Sequence, residues 1–238
     1  MSPAFPPIPP IVGYASGELD NDYGNVIIGA QFKDVADANG KISLSSIVPE
    51  PKGNLSASDL AYNVNFQLLN NWGGTVEGSV RIWDGSKWTT EADQDASAEK
   101  YDAAVGFCVA NQADPDEGAV FLRSSGEVSK EDVVVALDDD FGNILAANPY
   151  PVAIKLSSLL PQSTYTDLGY NVNFQKLNNW GGTVDGSVRI WDGTKWTTED
   201  NQDASNDLIL PGEGICIANQ VDPDDGAVTL RFTAPTIE

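Results

Sequence analysis

Apolar and polar residues alternate along this chain in short runs. Tyr62, Val64 and Phe66 interleave with Asn63, Asn65 and Gln67, the two-residue period of a half-buried strand. Val80 and Ile82 alternate with Arg81 and Trp83, predicting a second strand with Trp83 on the face opposite the two aliphatic residues. The run Trp83-Asp84-Gly85-Ser86-Lys87-Trp88 reads as a hairpin corner around an Asp-Gly turn. Residues 106–110, 119–122, 133–137 and Asn143–Ala147 predict further strands, and LSSIVP and LSSLLP read as single helical turns. No long stretch carries a helical period.

The pattern then repeats. Residues 62–97 and 170–205, offset by 108, differ at only five of thirty-six positions: Leu68/Lys176, Glu77/Asp185, Ser86/Thr194, Ala92/Asp200 and Asp93/Asn201. Residues 106–123 and 214–231 differ at five of eighteen. Between these blocks lie AEKYDAAV and NDLILPGE, dissimilar but equal in length. Upstream, DYGN matches DFGN at an offset of 118 and ISLSSIVP matches IKLSSLLP at 112. The first copy therefore carries small insertions near KDVADANG and PEPKGNLS. A unit of about 110 residues is far longer than a solenoid repeat and can hold its own core.

The expectation is an all-β chain of two tandem, duplicated β-sandwich domains, with seven to nine strands per copy. A Pro-rich arm spans residues 1–12, domain 1 residues 13–124 and domain 2 residues 125–238, with the joint near residues 124–130. In the first copy ASGEL stands where the second has VVVAL, which predicts a poor opening strand. The arm, SPAFPPIPPIV, favours extended polyproline backbone. It is either disordered or docks on a neighbouring molecule through Phe5, Ile8, Ile11 and Val12.

Charge narrows the functions available. Asp and Glu number 35 against 13 Lys and Arg, a net charge of −22 with no histidine. Nucleic acid and anionic membranes are repelled by such a surface. Without histidine there is no Ser-His-Asp or Cys-His nucleophile and no histidine-ligated metal. No apolar run reaches the length of a bilayer span. MSPAFPPIPPIVGY lacks the basic and apolar regions of a signal peptide, while the Asp/Asn/Gly/Thr-rich, Lys-poor composition points to an extracellular or cell-surface setting. Cys108 and Cys216, one per copy, read as buried free thiols, with an inter-subunit disulfide as the alternative.

Three constellations carry candidate chemistry. Asp20, Asp22 and Asn25, Asp138, Asp139, Asp140 and Asn143, Asp114 and Asp116, and Asp222 and Asp224 lie in acidic, Gly- and Asn-rich turns. These supply hard oxygens for Ca2+ or simply form solvated turns. Trp83, Trp88, Trp191 and Trp196 flank the Asp-Gly corners, either as a sugar-stacking platform or as cross-strand pairs. Paired acids for glycoside hydrolysis need a cleft that no pattern here implies. The expectation is a non-enzyme without an organic cofactor.

GNILAANPYPVAIKLSSLLP, VRIWDGTKWTT, LILPGEGICIANQ and VTLRF, in that order, resemble a β repeat of secreted and surface proteins from Verrucomicrobia, Planctomycetes and related bacteria. The resemblance covers most of residues 133–232. The first copy departs from it, with GAQF for AANP and DAAVGF for LPGEGI. It implies a secreted β domain and no particular activity.

Together these readings predict an extracellular structural subunit that self-assembles into a filament, tube or surface layer, promoted by divalent cations. The partner would then be the chain itself. A tandem carbohydrate-binding module, with glycans as partner, is the alternative, and a phage or virion decoration protein is a third.

Overall fold

The computed structural model describes residues 12–19, 25–34, 37, 39–69, 75–137, 143–164, 167–176 and 183–236. The fold is all-β. The first half contains β1 (Val12–Glu18), β2 (Asn25–Ile28), β3 (Phe32–Lys33), β4 (Ile42–Ser43), β5 (Ile47–Gly53), β6 (Val64–Gln67), β7 (Arg81–Trp83), β8 (Trp88–Thr90), β9 (Lys100–Tyr101), β10 (Phe107–Asn111) and β11 (Gly118–Val128). The second contains β12 (Val133–Ala136), β13 (Asn143–Ala147), β14 (Ile154–Lys155), β15 (Leu159–Ser163), β16 (Val172–Gln175), β17 (Arg189–Trp191), β18 (Trp196–Thr197), β19 (Leu208–Ile209), β20 (Gly214–Asn219) and β21 (Val228–Phe232). The counts exceed nine per half because several strands are two-residue pieces.

Each half packs one antiparallel sheet on another. In the first, β2-β10-β6-β7-β8 faces a sheet in which β11 lies between β1 on one side and β5 and β3 on the other. In the second, β13-β20-β16-β17-β18 faces β12-β21-β15. The ladders repeat residue for residue. Gln67 opposes Cys108 as Gln175 opposes Cys216, and Glu18 opposes Phe121 as Ala136 opposes Thr229. Each sandwich has its own core, with Val64, Phe66, Trp88, Val120 and Leu122 in one and Val172, Phe174, Trp196, Val228 and Leu230 in the other.

Three local expectations change. ASGE forms part of β1 and holds the same register as VVVA in β12. Pairing along β11 supplies the hydrogen bonds that propensity alone does not. The expected boundary between residues 124 and 125 lies inside a strand, since β11 runs unbroken across it to Val128, paired to β1 and β3. The crossing between halves therefore falls at residues 129–132. Trp83 faces inward instead of outward. Val64 and Phe66 face the core, and β7 pairs so that Arg81 opposes Phe66 and Ile82 opposes Asn65. That register puts the odd-numbered residues of β7 on the core side, and Trp83 is buried while Ile82 is half-exposed.

The two halves meet along a seam of small residues. Gly29 N–H donates to the Gly212 carbonyl at 3.0 Å, and Ala147 N–H donates to the Ala104 carbonyl at 2.9 Å. Gly29 is equivalent to Ala147 and Ala104 to Gly212, so the two bonds are related by a local twofold. The isolated bridges Ile28–Glu213 and Val105–Ala146 obey the same relation. Ala104 and Gly212 share left-handed backbone, at φ 65° and 66°. Ala104 is buried within the core of the second half, and its packing there offsets a backbone cost of order 1 kcal/mol. The seam segments, 29–31 with 102–106 and 146–148 with 210–213, are those where the first half departs from the repeat pattern of the second.

Candidate functional site

At each hairpin corner the aspartate organises the turn. Asp84 Oδ1 accepts from Ser86 N, Ser86 Oγ and Lys87 N, all at 2.8 Å, and Asp192 Oδ1 accepts from Thr194 N, Thr194 Oγ1 and Lys195 N at the same distance. Gly85 and Gly193 take φ 98° and 99° at the bend, a conformation glycine adopts without strain. The flanking tryptophans pair edge to face, Trp83 with Trp88 at 5.4 Å and Trp191 with Trp196 at 5.5 Å between ring centroids.

These rings point into the sandwiches. Trp88 and Trp196 are 1% and 0% exposed, and Trp83 and Trp191 are 6% and 7%. Trp88 Nε1 donates to the Ile47 carbonyl and Trp196 Nε1 to the Leu159 carbonyl, both at 2.6 Å, linking one sheet to the other. With so little ring surface outside, the four residues provide no platform for a sugar. The sugar-stacking expectation is corrected: all four are core residues, and Trp88 and Trp196 have their N–H groups satisfied.

The acidic candidates separate. Asp20, Asp22, Asp138, Asp139 and Asp140 lie outside the described residues. Asn25 begins β2, and Asn143 is exposed at the start of β13. Asp114 Oδ1 accepts from Asp116 N at 2.9 Å and Asp222 Oδ1 from Asp224 N at 3.0 Å, so these carboxylates close their own turns. Buried Asn111 and Asn219 shape the approach to those turns by accepting from Ala113 N and Val221 N. Among the described residues no three acids or cysteines converge as a metal site would require. Of the arm, Phe5, Ile8 and Ile11 lie outside the described residues, while Val12 begins β1.

Cys108 and Cys216 are free and buried, each beside a glutamine amide. Burial pushes both thiols above their ordinary pKa, which lowers the thiolate fraction.

Two features escaped the pattern reading. Asn148, fully buried, donates through Nδ2 to the carbonyls of Val152, Ile209 and Leu210 and accepts from Tyr150 N at 3.0 Å. It joins the AANP and LPGEG segments, and the first half, with Ala30 at the equivalent position, has neither motif. The second feature lies in the dissimilar segments 98–105 and 206–213. Arg81 Nε donates to Glu99 Oε2 at 2.8 Å in one half and Arg189 Nε to Asp207 Oδ2 at 2.6 Å in the other. Tyr101 stands beside the first pair and Ile209 beside the second. The signal was the equal length of two otherwise unrelated segments.

Among the described residues the outer edge of the smaller sheet is open in the second half: there β12 pairs with β21 alone, and Val134 on it is 55% exposed. Among the described residues no helix is long and apolar enough to cross a membrane. No family model matches the chain, and neither does any curated protein or solved structure.

Proposed function

We propose that this chain is a non-enzymatic structural subunit that assembles with copies of itself outside the cell, into a filament, tube or surface layer. The observation that carries this reading is the edge of β12, an uncharged Val-Val-Val-Ala strand with Val134 exposed and with no strand beyond it among the described residues. A strand edge of this kind presents free backbone donors and acceptors to a second chain. β1, its counterpart in the first half, is likewise the last strand of its sheet and leads directly from the Pro-rich arm. An arm from one copy laid on the β12 edge of the next is a heterologous contact, which propagates when it does not close. Copies carrying −22 each repel, so screening by salt or divalent cations such as Ca2+ favours assembly.

Light scattering and negative-stain electron microscopy across calcium and salt titrations test the reading. Polymers are expected in wild type and a loss of polymer in Val134→Lys. Monomers under every condition reject it.

A further inference from the structure

In the first half the ring of Tyr101 lies edge-on to Phe66 and Phe107, at 5.9 and 5.3 Å between centroids. Its hydroxyl donates to Glu99 Oε2 at 2.8 Å, the oxygen that also accepts from Arg81 Nε. The second half keeps the surroundings of that ring in kind. Phe174, Asp207 and Arg189 stand at the equivalent positions, and Ile215 replaces Phe107. Position 209 itself carries isoleucine, in the same ladder, since Ile154 opposes Ile209 as Ile42 opposes Tyr101.

Beside Ile209 lies a cleft of about 340 Å³, within the usual range for a small-ligand site. Leu156, Phe174 and Ile209 form its apolar floor, and Arg189 and Asp207 stand on its wall. At the mouth Leu208 stands in place of Lys100 and is 49% exposed. Lys176, at the place of Leu68, closes one side with Nζ 2.7 Å from Glu213 Oε1.

The geometry points to a binding site for a phenolic ring, seated against the exposed Leu208 above the buried Phe174 and Ile209, with the hydroxyl donating to the Asp207 carboxylate. The first half holds that group covalently, as Tyr101, and the second half takes it from outside. Two sources share this chemistry. One is a free small phenol. The other is a tyrosyl side chain of a second copy, for which Tyr62 and Tyr170 are 61% and 60% exposed. The site stands whether or not the chain polymerises.

The full-length protein is titrated with p-cresol and N-acetyltyrosinamide by calorimetry and two-dimensional NMR, with toluene as the ring without a hydroxyl. Saturable binding to wild type is expected, at least tenfold weaker for toluene. Ile209→Tyr, which rebuilds the first-half arrangement, is expected to weaken p-cresol binding at least tenfold. Asp207→Asn, which keeps the cleft's shape, is expected to weaken it about tenfold. Absence of saturable binding to wild type, or binding unchanged in both variants, overturns the proposal. If p-cresol also lowers self-association in sedimentation, and Tyr62→Ala or Tyr170→Ala does the same, the ring comes from a second copy. If binding occurs without any such effect, the source is a free phenol.

Discussion

Gly29 and Ala147 are equivalent positions of the two halves and face each other across the seam, so only one of them can carry a methyl group. A Cβ placed on Gly29 would overlap that of Ala147 and would lie 3.0 Å from the Val105 carbonyl oxygen. Residues at a twofold axis meet their own counterparts, and this chain resolves the conflict by making its copies unequal there. The contact between halves is isologous and closes on itself.

Gly29→Ala is therefore expected to destabilise the protein by about 1–3 kcal/mol through overpacking. The added swap Ala147→Gly is expected to recover much of that loss, because the methyl then has a vacancy opposite. Urea unfolding of both variants checks this, and a double variant no better than the single one would refute the axial arrangement.

Trp88→Phe keeps most of the apolar volume and removes the indole N–H that reaches the Ile47 carbonyl. A buried carbonyl without its donor costs about 1–3 kcal/mol. Thermal unfolding is expected to show that loss for Trp88→Phe, and a matching one for Trp196→Phe at the Leu159 carbonyl.

The thiols provide a third check. Cys108 and Cys216 are 5% and 4% exposed, and burial keeps them protonated. A thiol reagent is expected to leave the native protein almost untouched and to titrate both cysteines in urea. A rapid reaction in the native state would contradict the burial.

Stability should fall at both ends of the pH scale. Hydrogen bonds from the Ser205 backbone and hydroxyl, and then Lys195, hold Asp203 near 2 against its ordinary 3.8. Ser97 lowers Asp95 and Thr194 lowers Asp192 in the same direction. A carboxylate depressed on folding stabilises fully above its unfolded value, and that contribution disappears as pH falls from 3.8 towards 2. At the other end, burial raises Tyr150 from 10 to about 12. Its hydroxyl lies 2.9 Å from the Phe232 carbonyl and 3.0 Å from that of Glu131. The protonated phenol is the stabilising form, so its contribution is complete below pH 10 and lost between 10 and 12. Circular dichroism against pH is expected to show a plateau between these windows, with Tyr150→Phe flattening the alkaline limb.

Much of the architecture was legible because its signals are local. Residues Asn143–Ala147 form the strand their pattern predicts, and the LSS triplets at Leu44–Ser46 and Leu156–Ser158 each make one 3-10 turn. The Asp-Gly corner was equally readable, since Asp84 closes it with bonds no more than three residues away. The candidate sites were harder. A tryptophan beside a turn is indifferent, as sequence, to which face of its strand is inward, and Asp114 and Asp116 look alike as cation ligands and as turn formers.

The chain's alternation, its turn residues and its internal repeat by themselves determined an all-β molecule built of two matching halves, because strand period and turn chemistry act within a few residues. Tertiary structure decided that Trp83 points inward, that β11 carries the joint as a strand, that the halves meet at Gly29 and Ala147, and that a cleft lies beside Ile209, the counterpart of Tyr101. Each of those outcomes depends on register or packing between residues tens of positions apart, where the neighbour is supplied by the fold and not by the adjoining sequence.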